Sequence, residues 1–431
     1  MACDNAALRH CAEMNETAPL SRRALLQSGV VASLAAPAIA VAATPRSAFR
    51  EKLLLDPGVR YFNAANIGPA FRAVVEVQEA ETRAFQTNPS REYREKYPVA
   101  ADALRARLAK RLGVTGAEIA LLRNASEANT VAVLGLDLKP GDEIIVTEHN
   151  HQSTLDSWKL RAKREGLVIK VLPTPATARD PQMVADAFAV AITPRTRAIF
   201  LSHMTNVTGL VYPVAAIAQV ARAKGVWLHV DGAQTFGWMP IDLMALGVDS
   251  YATSTHKWMM GPLESGILYV RRDGQDRLNP VMISHGYWLN GPRDMETAER
   301  YEVLGQRDDP KLIAIDRTLD LLDGIGEAAI EAGVRQGATR MRDLLAKAPG
   351  AKFVGSDHPA LSGPVLTFAF PGQDVGALRA RLWRDGKVAT AQALADGQPL
   401  VRFSPHLYND ADEMQAVVDL IGRVSAGDRP R

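Results

Sequence analysis

Val226-Trp-Leu-His-Val230, followed by Asp231-Gly232-Ala233-Gln234, reads as a short apolar strand whose end delivers a carboxylate. Runs of the same kind recur at Ile119 to Leu122, Glu143-Ile-Ile-Val-Thr147, Val168-Ile-Lys-Val-Leu172, Ala198-Ile-Phe-Leu201 and Gly266-Ile-Leu-Tyr-Val270. Amphipathic stretches such as Ser157 to Arg164 and Val214 to Lys224 separate several of them. Apolar runs alternating with helical patterns imply βαβ units and an α/β fold, with a mostly parallel sheet covered on both faces. Asp231 then lies at the carboxyl edge of the sheet, where open α/β folds bind ligands.

After Pro310 the pattern changes. A helical stretch from Lys311 to Leu345, interrupted near Gly324, leads to Val365-Leu-Thr-Phe-Ala-Phe370 and Leu400-Val-Arg-Phe403. This predicts a large domain over 63–310 and a smaller α+β domain over 311–431, joined by 44–62. Gly324-Ile325-Gly326-Glu327-Ala328-Ala329 matches a dinucleotide-binding string, but that motif requires a preceding strand, and here a helical run from Ile313 to Leu322 precedes it.

Residues 1–43 stand apart. Ser21-Arg22-Arg23-Ala24-Leu25-Leu26 opens an Ala-rich, mildly apolar stretch with small residues at Ala38-Ile39-Ala40 and Ala40-Val41-Ala42. This resembles a twin-arginine export signal and implies a periplasmic protein handled by the twin-arginine translocase. Ser28, Gly29, Ser33 and Pro37 make the stretch weakly hydrophobic for a span, so no membrane segment is expected after signal removal.

The rest of the composition is that of a globular protein. Across 431 residues, 47% hydrophobic content supports a sizeable core, while 50 Lys and Arg against 48 Asp and Glu give no charge-based case for nucleic acid. The cysteines, Cys3 and Cys11, both precede the body of the chain. That leaves no disulfide framework, zinc-cysteine site or thiol nucleophile.

Chemistry concentrates in two stretches. Asp231 can keep a pyridine nitrogen protonated and Gln234 can donate to a ring hydroxyl oxygen. In Ser254-Thr255-His256-Lys257 the lysine is followed by apolar Trp258, Met259 and Met260. Desolvation there would lower its pKa and free an amine for Schiff base formation. Ser254 and His256 could bond a phosphate. Asn124-Ala125-Ser126-Glu127 sits between a strand and a helical stretch, so a helix N-terminus and the Ser126 hydroxyl are offered to an anion. These groups together are equipment for pyridoxal 5'-phosphate. In Glu148-His149-Asn150-His151 an imidazole could stack on the pyridine ring; His149-x-His151 as a metal site lacks a third ligand, and no metal is expected.

In order along the chain, these segments resemble the class V aminotransferase family of fold-type I pyridoxal phosphate enzymes, in its isopenicillin N epimerase-like and cysteine desulfurase-like branch. The resemblance runs from about Tyr61 to Val424. It is carried by Tyr61-Phe-Asn63, Gly68-Pro69, Asn124-Ala125-Ser126, Gly141-Asp142-Glu143, Trp158, Asn206 with Gly209, Asp231 with Gln234, Ser254, His256 and Lys257, and Val401-Arg402-Phe403-Ser404-Pro405-His406 with Tyr408-Asn409. It implies that Lys257 is the Schiff base lysine, that Asn206 lies near cofactor and substrate, and that Arg402 grips a substrate carboxylate, a task suited to a bidentate guanidinium. A gap-free match from Val146 to Trp158 puts His151 at the ring-stacking position.

Two departures matter. Cysteine desulfurases carry a mobile cysteine in the second domain, and Val388 to Pro399 has none. Gln306, in Gly305-Gln306-Arg307-Asp308, stands where relatives have a threonine that touches the phosphate across a dimer interface; a homodimer is implied by the same resemblance. The expected activity is transamination, with epimerisation or C–S/β-elimination as alternatives, on an amino acid or peptide substrate bearing a carboxylate. Export adds a resemblance to periplasmic enzymes that tailor the glutamate side chain of pyoverdine-type siderophores. A non-catalytic protein that kept the fold is the remaining alternative; it would not need Lys257, Asp231 and Arg402 together.

Overall fold

The computed structural model describes residues 46–285, 287 and 296–425. The arginine-pair leader and both cysteines lie outside the described residues. A ribbon of β1 (Arg60–Tyr61) is followed by the strands β2 (Ile119–Leu122), β3 (Glu143–Thr147), β4 (Val168–Leu172), β5 (Thr196–Ser202), β6 (Trp227–Asp231), β7 (Ser250–Ser254) and β8 (Gly266–Val270). These last seven form one sheet in the order β2-β8-β7-β6-β5-β3-β4. Only β8 runs against the others.

The apolar runs of this sheet are buried on both faces, as alternation of side chains across a strand requires. Leu121, Ile145, Ile199, Leu201, Leu228, Val230 and Ile267 point into one core. Their neighbours Ala120, Leu122, Ile144, Val146, Phe200, Trp227 and Leu268 point into another on the opposite face. That second face is covered by the helices Ala125–Gly135 and Gln152–Glu165, through residues such as Ala128, Val131 and Trp158. Because β2, β3, β5, β6 and β7 run in parallel, their carboxyl ends meet at one edge, and β8 contributes Gly266 to that edge opposite Leu122 and Ser254.

The second sheet is antiparallel, in the order β12 (Ala391–Ala395), β13 (Gln398–Phe403), β10 (Leu366–Ala369) and β9 (Lys352–Phe353). It has its own core of Phe62, Met341, Leu345, Phe368, Val401 and Phe403. The strand β11 (Val388–Ala389) pairs in parallel with β1 and ties the N-terminal segment to this sheet. The chain passes between cores later than residue 310. Helix Pro310–Asp323 packs Leu312, Ile315 and Leu319 into the first core, and helix Glu327–Leu345 places Ile330 and Val334 there and Met341 in the second. Likewise Phe49 and Leu53 join the first core, whereas Phe62 joins the second. The glycine string at Gly324 follows helix Pro310–Asp323, not a strand.

Candidate functional site

At the shared strand edge the structure has a cavity of about 330 Å³. Asn124, Ala125, Ser126, His151, Asn206, Asp231, Gln234, Ser254, His256 and Lys257 all line it. Residues from five separate strand ends thus converge.

The anion end is built on helix Ala125–Gly135. Asn124 caps it, accepting from the Glu127 N–H at 2.9 Å, and the Ala125 N–H donates to Ser254 Oγ at 2.8 Å. These two groups are therefore committed to shaping the turn, and the Ser126 amide, the Ser254 hydroxyl proton and His256 remain for an anion. Burial, with Lys257 adding to it, lowers the His256 pKa to about 4, and its Nδ1 is buried without a protein partner. Gly266 makes the approach possible: a Cβ there would lie 2.5 Å from the Asn124 backbone.

Lys257 stands opposite, on the loop after β7. Its amine has no hydrogen-bond partner among the described residues, and burial lowers its pKa against the pull of Asp231, with Arg402 lowering it further. The loop is held closely. Gly68 donates its N–H to the His256 carbonyl at 2.8 Å, and a Cβ at Gly68 would lie 1.9 Å from the Lys257 carbonyl oxygen. Met260 adopts a left-handed φ of 56° just beyond, a conformation costly for a side-chain-bearing residue. His406 Nε2 bonds the Trp258 carbonyl at 3.0 Å.

Asp231 ends β6, one residue inside the strand rather than after it. Its Oδ1 accepts from the Ala233 N–H at 3.0 Å and its Oδ2 from Asn129 Nδ2 at 2.9 Å. Behind Asn129 runs a chain that sequence reasoning missed. Trp227 Nε1 donates to Ser250 Oγ at 3.0 Å, Ser250 Oγ meets His229 Nδ1 at 2.7 Å, and His229 Nε2 meets Asn129 Oδ1 at 2.8 Å. Polarity fixes the direction. A carboxylate only accepts, so Asn129 turns its amide nitrogen to Asp231 and its oxygen to His229. His229 must then carry its proton on Nε2 and accept from Ser250. Every member is buried, and burial pushes the His229 pKa down to about 3, so it stays neutral. Alternation along β6 puts Trp227, His229 and Asp231 on one face, the face that helix Ala125–Gly135 covers. His229 two residues before Asp231, and Asn129 three after Ser126, are the sequence signals that would have found it.

His151, not His149, reaches this cavity. Its Nδ1 accepts from the Ser153 N–H at 3.3 Å, so in the neutral ring the proton sits on Nε2. Burial lowers its pKa, Asp231 opposes this, and Lys257 and Arg402 add to it. Gln234 is more constrained than expected: its Nε2 donates to the Ala65 carbonyl and its Oε1 accepts from Trp258 Nε1, both at 2.9 Å, leaving one N–H for a ligand.

Two expected residues lie elsewhere. Arg402, on β13, borders a neighbouring cavity that shares His151 and Asn206 with the first. It donates to the Asn206 carbonyl at 2.8 Å and to Asn63 Oδ1 at 3.2 Å, while its Nε is buried unpaired. Burial, with Arg379 adding to it, lowers its pKa to about 10, still cationic at neutral pH. Gln306 lines a third cavity, beside Arg307 and Lys311, that shares no lining residue with the other two. The stretch from Val388 to Pro399, where a desulfurase would carry its mobile cysteine, is β11, β12 and a turn at Asp396-Gly397. Among the described residues no group of three or more His, Cys, Asp or Glu could hold a metal.

The sequence matches the family described as Aminotransferase class-V over residues 60–417. It is 30% identical to isopenicillin N epimerase of Amycolatopsis lactamdurans, over 87% of this chain and 98% of that one. A probable cysteine desulfurase of Pseudomonas aeruginosa is 32% identical over 73% of this chain and 80% of its own. Among solved structures, the cystine C–S lyase C-DES with glycine covalently linked to its PLP cofactor matches with a TM-score of 0.79 at 24% identity, over 86% of this chain and 98% of that one. The fold-type I architecture and its cofactor are thereby shown. The residues fit that cofactor: Lys257, whose amine has no hydrogen-bond partner among the described residues, His256 with its orphaned Nδ1, and the helix terminus that Gly266 allows to approach all border one cavity.

Proposed function

The chain belongs to the class V aminotransferase family, and we propose that it performs transamination, or a closely related amino-group reaction, on an amino acid or aminoacyl side chain held by its carboxylate. The observation that carries this reading is the convergence of Lys257, Asp231 and His151 on one cavity, with Arg402 in the adjoining cavity that shares His151 and Asn206 with it. Pyridoxal phosphate, when bound, supplies the electron sink for charge left at the substrate α-carbon. Ser126, Ser254, His256 and the helix terminus would hold its phosphate, and Asp231 its ring nitrogen.

The chain's own residues supply the rest. Arg402 lines the adjoining cavity, keeps N–H donors beyond those given to Asn206 and Asn63, and orients the substrate carboxylate. Lys257, its pKa lowered by burial, accepts and returns the α-proton at Nζ. The Asp231 carboxylate, bonded from Asn129 and Ala233, presents a fixed negative charge without reorganising. His151, which lines the same cavity, would cover the cofactor ring and exclude water from that side.

Epimerisation is the second reading. It is favoured by His151, whose Nε2–H can serve as an acid facing the proton acceptor, and by isopenicillin N epimerases matching over nearly their whole length. One experiment separates the two: holoenzyme is incubated in D₂O with amino acids and γ-glutamyl amides. Transamination yields stoichiometric 2-oxo acid and stalls without an acceptor; epimerisation yields inverted substrate deuterated at the α-carbon. No exchange with any amino compound refutes both.

The arginine-pair leader supports export, and the substrate class then narrows to secreted compounds such as the glutamyl side chain of a pyoverdine-type siderophore. Fusing residues 1–43 to a fluorescent reporter tests this; retention of the reporter in the cytoplasm of a translocase-competent cell contradicts it. A homodimer is proposed with Gln306 facing the partner subunit, to be checked by sedimentation.

A further inference from the structure

Arg402 opens onto a cavity larger than the one that holds Lys257, about 410 Å³ against about 330 Å³. The two share His151 and Asn206 as a common wall. A free amino acid whose α-carbon sits at Lys257 would leave most of this outer chamber to water.

The chamber is built with unspent polar groups and a graded charge. Arg402 is 6% exposed with its Nε unpaired, and His149 is 5% exposed with its Nδ1 unpaired. At its outer end stand two carboxylates, Glu148 and Asp396, and among the described lining residues Arg402 is the only lysine or arginine. Both carboxylates are anchored. Asp396 and Gly397 take left-handed φ values of 50° and 72° in the two-residue turn that joins β12 to β13, so the Asp396 Cα is set by the hairpin register. Glu148 is fixed at its backbone, its N–H donating to the Leu172 carbonyl at 2.9 Å. Burial lowers the His149 pKa while Glu148 and Asp396 both pull against it.

We propose that this outer chamber is the subsite for the distal part of the substrate, and that it accepts an amino acid whose side chain is extended to a cationic end. The proposal rests on the reading of Arg402 as the carboxylate clamp. The reasoning is one of complementarity: a ligand that places an anion at Arg402 and extends outward meets negative charge, so a second carboxylate is repelled and an ammonium attracted. Length follows from the hairpin. At about 3.3 Å per residue the turn at Gly397 lies roughly 16 Å along β13 from Arg402, beyond the reach of a free lysine side chain.

The test uses three compounds that share an N5-alkylglutamine frame: N5-(3-aminopropyl)-L-glutamine, N5-propyl-L-glutamine and N5-(2-carboxyethyl)-L-glutamine. Binding to holoenzyme is read from the change in cofactor absorbance, and again by calorimetry on borohydride-reduced holoenzyme, where nothing can turn over. The amine should bind at least about tenfold more tightly than the carboxylate, with the propyl compound between them. In the Glu148→Gln/Asp396→Asn double variant that ratio should fall to within about threefold while affinity for the propyl compound is unchanged, and salt should narrow it in the parent protein. The propyl compound reports on folding, and the Glu148→Gln single variant, expected to show a partial loss of the ratio, serves if the double variant is unstable. Equal affinities in the parent, or a preference untouched by the variants, overturns the subsite. If no compound perturbs the cofactor band of protein that holds cofactor, the amino acid reading itself has failed and the subsite falls with it.

Discussion

Replacing Asn129 by leucine keeps the volume of the side chain and deletes both ends of its amide. The Asp231 carboxylate then loses the 2.9 Å bond from Asn129 Nδ2 and keeps only the Ala233 N–H. A hydrogen bond to a charged group contributes about 1.5–3 kcal/mol, so at about 1.4 kcal/mol per decade the loss corresponds to roughly 10- to 100-fold in any step that depends on that carboxylate. His229 Nε2–H is orphaned by the same change, in a site where His229 is 1% exposed, at a further cost to folding of about 1–3 kcal/mol. Two assays read the two effects: α-proton exchange in D₂O at saturating cofactor, and the melting temperature of the apoprotein. Ser250→Ala breaks the chain at its far end and should lower exchange much less, since Asn129 still bonds Asp231. Exchange in Asn129→Leu within about twofold of the parent, with the apoprotein destabilised as expected, would mean that the chain serves folding alone and has no part in presenting Asp231.

Three further outcomes follow from the same geometry. Arg402→Gln should weaken binding of carboxylate-bearing amino compounds by about 100-fold while kcat changes much less, since the guanidinium's unused donors are its contribution to binding; an unchanged KM would contradict its role. Gly266→Ala places a Cβ 2.5 Å from the Asn124 backbone and should cost about 1–3 kcal/mol of stability together with cofactor affinity, read by melting and by fluorescence titration. Burial lowers His203 and His406 to about 4 and His229 to about 3. Between the ordinary histidine value of about 6.5 and these values the unfolded chain binds protons that the folded chain does not. Stability should therefore fall with falling pH across that window, by up to about 1.4 kcal/mol per pH unit for each group, and a flat urea midpoint from pH 7 to 5 would contradict it.

Much of the site was legible because apolar strands end at one edge and carry their chemistry just past their last residue. Asp231 and Asn124 were placed this way; the strand end offered both His149 and His151, and the family resemblance chose His151. The strand β7 was not, because Ser250-Tyr-Ala-Thr-Ser254 reads as polar; it is nonetheless fully buried, its hydroxyls bonded to Trp227, His229, Thr235 and Gly232, and to the Ala125 amide. A hydroxyl that is satisfied from within costs little to bury, and hydropathy alone does not register it. The β12–β13 hairpin was missed although Asp396-Gly397 is a turn signal. Asn129 was hidden for another reason. Its role depends on the helix of one segment covering the strand of another, a distance that no local pattern encodes.

The claim on which everything else depends is that Lys257 carries the cofactor. Reducing the holoprotein with borohydride and sequencing its peptides by mass spectrometry tests this directly. The account predicts a single pyridoxyl-phosphate adduct on Lys257 and loss of the visible band in Lys257→Ala. An adduct on another lysine, or a Lys257→Ala variant that keeps the band, would contradict it.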